Sequence, residues 1–331
     1  MTIQSAPPLK AGKPVASNAP SHSYSATTDL DGAYQIKAVA PGQYYVLGKL
    51  QGYLSAYDLA VSLYPSSSTL SPEALEIALT RSTVEPGRAA VQDLTLSRGA
   101  SLGGTLHYDD GSVAINLPVH LFRKDATRAW KLYTNTTGGS VLAPLGLEQH
   151  TDDQGRFHEP GLPPGLYTIE VTLPQVTFAP ATIMGTPSLT VNVSNGNALR
   201  VYNGEKFRLR EAIGIELHDG EQRSDIDISL PTHGLHSVRG TVTAGLDRHP
   251  LTGGKVNLLD PLDKTLLRSA DIQNDGAFTF NYVASETYLI SVEPTALLVT
   301  DKNAIPLSPL TEKILVETDL PDLHYNLLPA K

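Results

Sequence analysis

Three copies of one turn–strand–turn–strand pattern constrain this 331-residue chain more than any other feature. Asp31-Gly32-Ala33-Tyr34, Gln154-Gly155-Arg156-Phe157 and Asp275-Gly276-Ala277-Phe278 each place a turn glycine two residues before an aromatic. Seven positions beyond each glycine stands an apolar residue, Val39, Leu162 or Val283; twelve positions beyond stands Tyr44, Tyr167 or Tyr288. Gly32 and Gly155 are 123 residues apart, and Gly155 and Gly276 are 121 apart. A long period with fixed internal offsets marks a repeated structural unit.

Each copy reads as β-structure. Asp-Gly supplies the positive-φ positions of a tight turn at low steric cost. The strand after it alternates, as in Tyr34 and Ile36 or Phe278 and Phe280, so those side chains share a face. A second turn follows in two copies, Pro41-Gly42 and Pro164-Gly165, where proline presets φ and glycine tolerates the left-handed region. The next strand aligns Tyr44 with Val46, Tyr167 with Ile169 and Val171, and Tyr288 with Ile290 and Val292. A closing strand recurs at Asp93-Leu94-Thr95-Leu96, Asp225-Ile226-Asp227-Ile228 and Asp322-Leu323-His324-Tyr325. Ser101-Leu102-Gly103-Gly104-Thr105-Leu106 and Ser237-Val238-Arg239-Gly240-Thr241-Val242 form an opening strand before copies two and three. Short strands with regular turn signals predict β-sandwiches.

The copies differ. Before the Thr28-Asp29 turn of copy one stand only 27 residues, rich in Pro, Ser and Ala, with no equivalent of the opening strand. Ser285-Glu286 replaces Pro-Gly in copy three, and copy two carries an insertion at about 124–150 that contains Trp130. A single helical signal, Ser71-Pro72-Glu73, predicts a short turn of helix to about Thr80.

Composition excludes several functions. A net charge of −9 argues against nucleic acid and anionic lipid, whose recognition needs basic patches. The absence of cysteine removes disulfides, thiolate metal sites and cysteine nucleophiles. No apolar run is long enough for a membrane span. Residues 1–20 hold no apolar core of a signal peptide, so a processed or partial chain is expected.

The stretch from Thr28 to Val46, Thr-Asp-x-Asp-Gly-x-Tyr…Val-x-Pro-Gly-x-Tyr-x-Val, resembles the carboxypeptidase regulatory-like repeat of bacterial surface and secreted proteins. Val84-Glu85-Pro86-Gly87 leading to Asp93-Leu94-Thr95-Leu96 is similar to the end of such repeats, and Tyr64-Pro65 to another of their segments. The resemblance implies the transthyretin-like, carbohydrate-binding-like fold class and a part that is not catalytic in the enzymes after which it is called. The expectation is an all-β chain of three tandem Ig-/transthyretin-like β-sandwich domains, at 1–97, 98–231 and 232–331.

Several residues carry candidate chemistry. Gly99-Ala100-Ser101-Leu102-Gly103 matches a nucleophile elbow, but that motif needs a strand–turn–helix and Thr105 to Tyr108 continue as strand. His218-Asp219-Gly220-Glu221 matches a His-x-x-Glu zinc pair, with His324 downstream, yet Asp219-Gly220 reads as a hairpin turn. His233, His236 and His249 lack ligand spacing and read as exposed loop histidines. Asp29-x-Asp31-Gly32 resembles half a calcium loop without the downstream bidentate acid, so turn chemistry accounts for it. Trp130 and Tyr133 offer an aromatic platform for a sugar ring. No lysine recurs at one repeat position, as an isopeptide cross-link shared by the repeats would require.

The sequence therefore predicts a non-catalytic, extracytoplasmic structural or interaction protein with no cofactor and no catalytic or metal residues. Its expected partners are a surface protein, a polysaccharide or another copy of itself. One alternative is a carbohydrate-binding module using Trp130 and Tyr133. The other is self-assembly by strand addition along the edge that copy one leaves open.

Overall fold

A computed structural model describes residues 1–6, 9–10, 13–14, 22–62, 76, 78–125, 127–133, 149–183, 186–231, 233–245, 247–294 and 307–329. The chain is almost entirely β, with one α-helix at Ala56–Ser62 among the described elements. It divides into two compact units: Met1–Leu106 with Val113–Glu170 and Leu209–Ile228, and His107–Ser112 with Val171–Arg208 and Ser229–Lys331.

In the first unit, copy one forms a four-stranded antiparallel sheet in the order Ser23–Ser25, Thr2–Ser5, Gly42–Leu47, Thr80–Val84. Thr2–Ser5 is a strand although proline-rich sequence follows it; Thr-Ile-Gln-Ser has the β-branched character that suits a pleated surface. Copy two builds one sheet from Arg156–Leu162, Ala100–Tyr108 and Gln222–Leu230, with the opening strand in the middle. Its second sheet runs Trp130–Tyr133, Pro118–Lys124, Gly165–Ile183. Leu102, Leu106 and, on the flanking strands, Phe157, Leu162, Tyr167 and Ile169 are all buried; each such side chain removed from water contributes about 1.5–3 kcal/mol.

The second unit repeats this arrangement. Leu235–Ala244 lies between the antiparallel Ala277–Ala284 and the parallel Leu320–Leu327. The facing sheet runs Leu266–Asp271, Gly254–Leu259, Thr287–Pro294, Leu310–Leu315. Val238, Val242, Phe278, Phe280, Ile290 and Tyr325 belong to one buried core.

Two elements differ from expectation. Gly165–Ile183 and Thr186–Tyr202 are far longer strands than the copy-two repeat predicts. The helix at Ala56–Ser62 is closed by a reciprocal cap: the Ser55 amide donates to Asp58 Oδ2 at 2.8 Å, and the Asp58 amide to Ser55 Oγ at 3.3 Å. Most of the helix predicted from Ser71, and the Tyr64-Pro65 segment, lie outside the described residues; Thr80 itself begins a strand.

Candidate functional site

The repeated residues build one local device in all three copies. Gly32, Gly155 and Gly276 have φ of 81°, 70° and 80°, and the amide of each donates to a carbonyl three residues back, in Asp29, Asp152 and Gln273. Asp29 Oδ1 also accepts the amides of Asp31 and Ala33, and Asp152 Oδ1 those of Gln154 and Arg156. These carboxylates are bound to their own turns. Where copy three carries Gln273, Asp275 Oδ1 accepts the Ala277 amide instead.

The tyrosine twelve positions on closes the corner. Tyr44, Tyr167 and Tyr288 donate their hydroxyls to the carbonyls of Ala40, Pro163 and Ala284, each four residues upstream, at 2.8, 2.7 and 3.1 Å. Arginine caps two of the rings: Arg123 lies 5.8 Å from the Tyr167 centroid and Arg208 4.7 Å from that of Tyr288. A third shared feature had no sequence signal. Six positions beyond each turn glycine, Ala38, Gly161 and Tyr282 have φ of 57°, 73° and 57°. In copies two and three the antiparallel register slips beside this residue, the mark of a β-bulge.

Among the described residues, copy one shows the borders of the second sheet and not its middle. Residues 33–40 and 89–96 correspond to the strands that flank the opening strand in copies two and three. Among the described residues, neither segment pairs with any strand. Between them and the four-stranded sheet lies a cavity of about 1410 Å³, bordered by Tyr34, Ile36, Val39, Val84, Leu94 and Leu96. These side chains are half-buried, whereas Phe278, Phe280 and Val283 at the corresponding positions of copy three are 1%, 0% and 1% exposed. The Tyr34 hydroxyl reaches across, donating to the Gln92 carbonyl at 2.7 Å.

Ser101 lies in the strand Ala100–Tyr108 and donates to Gln222 Oε1 at 2.8 Å. His218 and Glu221 close their hairpin turn, with Nδ1 2.9 Å from Oε2 and the His218 amide donating to the same oxygen; Glu221 raises the pKa of the ring. His324 engages Thr241 and Asp322. His233 and His249 sit 3.1 and 2.9 Å from Asp109 and Asp247. His236 and His249 depart from the loop expectation: His236 lies in the strand Leu235–Ala244, 2.8 Å from Ser285 Oγ, and His249 begins the short strand His249–Pro250. Among the described residues, no three His, Asp or Glu side chains converge in a metal-binding group.

The aromatic platform is corrected. Trp130 and Tyr133 belong to an edge strand, not to a loop, and pair with Lys124 and Leu121. Three positions apart on a strand, they point to opposite faces. Tyr133 meets Tyr167 edge-on at 5.6 Å, while Lys124 Nζ lies 4.7 Å from the Trp130 centroid. Residues 134–148 of the insertion lie outside the described residues.

Neither a known protein family nor a curated relative matches the sequence. Among solved structures, a streptococcal ancillary pilin is 14% identical, covering 94% of this chain and 82% of its own, with a TM-score of 0.29. A minor pilin of Streptococcus agalactiae is 11% identical over 70% and 97%, with a TM-score of 0.29. A shaft pilin of Lactobacillus rhamnosus GG is 10% identical over 71% and 98%, with a TM-score of 0.25. With TM-scores this far below 0.5, none of these likenesses assigns a function to the chain. No helix among the described residues is long and apolar enough to cross a membrane.

Proposed function

We propose that the chain is a non-catalytic structural or interaction protein that works outside the cytoplasm. In this reading it is a string of three carboxypeptidase-regulatory-like repeats at 1–97, 98–231 and 232–331. The observation that carries it is the threefold corner, in which turn glycine, bulge residue and tyrosine hydroxyl recur at the same offsets. A device spent on holding a backbone bend is scaffold chemistry, and its acids are bound to amides rather than facing a substrate. The partners in this reading are proteins or polysaccharides of a cell surface. Cell fractionation and protease shaving of intact producing cells test it: the chain should appear in the extracytoplasmic fraction and be cut from outside. Recovery only from the cytoplasm would overturn the reading.

A carbohydrate-binding role rests on Trp130 alone, which shares the outer face of its edge strand with Leu132, 55% exposed. Quenching of Trp130 fluorescence by a polysaccharide would support it, and an unchanged spectrum across a glycan series would remove it.

A further inference from the structure

In copy two, the sheet of Arg156–Leu162, Ala100–Tyr108 and Gln222–Leu230 carries a polar depression on its outer face. Phe157 points into the core at 4% exposed, so Arg156 and His158 on either side of it stand on the outer face, where both are exposed. Opposite them on the central strand are Thr105 and Gly103. A Cβ on Gly103 would lie 2.9 Å from the Phe157 carbonyl oxygen and 3.2 Å from His158 Nδ1, so the imidazole lies close over the glycine. Beside them runs the short strand Gln149–His150, held by Gln149 Nε2, which donates to the His158 carbonyl at 2.6 Å. These residues line a depression of about 550 Å³, within the roughly 300–1,000 Å³ of small-molecule sites.

Copy three shares the backbone and has none of this chemistry. Gly104 stands opposite Phe157 as Gly240 stands opposite Phe278. Gly103 therefore corresponds to Arg239, and Arg156 and His158 correspond to Ala277 and Thr279. Pro118 and Val119 pair with His150 and Gln149 as Lys255 and Val256 pair with Asp271 and Ala270. In copy three the large cation is on the central strand and small residues are on the edge; copy two inverts this. A requirement of the scaffold would act alike on both copies, so the inversion belongs to something that copy two alone does.

We propose that this depression binds one uronic acid residue of a glycan. Arg156 takes the carboxylate, which matches its planar fork. His150, His158 and Gln149 face the ring hydroxyls. Thr105 donates to Asp227 Oδ1 at 3.2 Å, and its oxygen remains an acceptor. Asp152, the one acid among the lining residues, holds Oδ1 on the amides of Gln154 and Arg156. The permanent cation of the lining is a single arginine, and a chain of net charge −9 repels a dense polyanion, so one carboxylate is matched. The aromatic ring of the lining, Phe157, is in the core, so the sugar is held by hydrogen bonds and not by stacking.

The proposal rests on the polysaccharide partner of the reading above and owes nothing to Trp130. The two fail separately: a cytoplasmic location would leave sugar binding standing, and absent binding would leave a surface location standing. The test titrates the ¹⁵N-labelled full chain with methyl β-glucuronide, methyl β-glucoside and sodium acetate. The glucuronide should bind saturably at one site and shift the amides of 103–105, 149–150 and 156–158. The glucoside lacks the charge and acetate lacks the ring, and each should bind at least about tenfold more weakly. Arg156→Ala places the copy-three residue on an exposed position and keeps the backbone amide that binds Asp152. Its spectrum should stay folded while glucuronide affinity falls at least about tenfold. Absent glucuronide binding overturns the proposal, as does undiminished binding by Arg156→Ala. Equal binding of the glucoside or of acetate overturns it too, and so do shifts confined to 130–133, which would put the sugar on Trp130.

Discussion

The Tyr167 hydroxyl donates to the Pro163 carbonyl at 2.7 Å, tying the corner strand to the turn that introduces it. Tyr167 is fully buried and Pro163 is buried beside it. Tyr167→Phe therefore leaves a buried acceptor without its donor, which costs about 1–3 kcal/mol. Tyr288→Phe should behave alike, because Ala284 is 2% exposed. Tyr44→Phe should cost less, since Ala40 is only half-buried and water can replace the hydroxyl. Urea midpoints of the three variants check this order, and a largest loss at Tyr44 would refute it.

Two glycines of this fold are required for different reasons. At Gly240 the obstacle is space, with the Leu323 carbonyl 2.3 Å from any added Cβ. Gly240→Ala should cost about 1–3 kcal/mol through forced backbone shifts. Gly32 has nothing within 4 Å of an added Cβ, but its φ is 81°. Gly32→Ala then carries only left-handed strain, about 1–2 kcal/mol. Thermal unfolding should show the larger Tm loss for Gly240→Ala.

Much of this fold was legible because its repeated parts use residues with few alternatives. Gly32, Gly155 and Gly276 announce positive φ, and Tyr44, Tyr167 and Tyr288 keep one offset. The reason for that offset, a hydroxyl reaching four residues back, needs a bend that no alternation pattern contains. The bulge was invisible for a related reason: only Gly161 of its three residues is a glycine, while Ala38 and Tyr282 adopt the same φ under tertiary constraint. Trp130 and Tyr133 offered one platform in the sequence, but they lie in the strand Trp130–Tyr133, where alternation separates them.

Acid should weaken the chain through its turn carboxylates. The Arg156 amide, with the Gln154 amide adding to it and desolvation opposing, holds Asp152 below its ordinary pKa. A carboxyl depressed by folding contributes stability that is present above its unfolded value, about 3.9, and is lost as pH falls through the folded value. Asp152→Asn keeps an acceptor oxygen but no charge. Its Tm should lie below that of the parent at neutral pH, and the gap should close as pH drops below about 4. A gap independent of pH would show that charge plays no part in this turn.

Alkali should weaken it through buried phenols. Burial, then Glu76, pushes Tyr45 up to about 12, and burial, then Glu312, pushes Tyr325 up to about 12. A phenol raised by folding contributes stability that is fully present below its unfolded value of about 10 and is lost as pH rises through the folded value. Urea midpoints should hold steady up to about pH 10 and fall between there and 12. Tyrosinate absorbance should rise together with unfolding, because Tyr167 and Tyr288 are also raised by burial; a smooth titration of every tyrosine in the folded chain would contradict this.

Arg268, 5% exposed, joins the hairpin strand Thr186–Tyr202 to the neighbouring strands of the second unit. Its Nη2 donates to the Asn197 carbonyl and Asn197 Oδ1, both at 2.7 Å, and to the Asn281 carbonyl at 2.8 Å. Nη1 donates to the Tyr282 carbonyl at 3.0 Å, and the guanidinium lies 5.6 Å from the Phe280 centroid. Burial lowers its pKa to about 10, which still leaves it charged at neutral pH. The planar fork satisfies several carbonyls at once, and no aliphatic side chain can replace it. Arg268→Leu strands those acceptors and should cost at least about 2 kcal/mol. Arg268→Lys keeps the charge but reaches fewer oxygens, so its loss should be smaller and still measurable. Amide exchange distinguishes a local anchor from a general core defect. In Arg268→Leu, residues 196–202 should open at urea concentrations where 254–259 remain protected. Simultaneous opening of both segments would show instead that Arg268 supports the whole core.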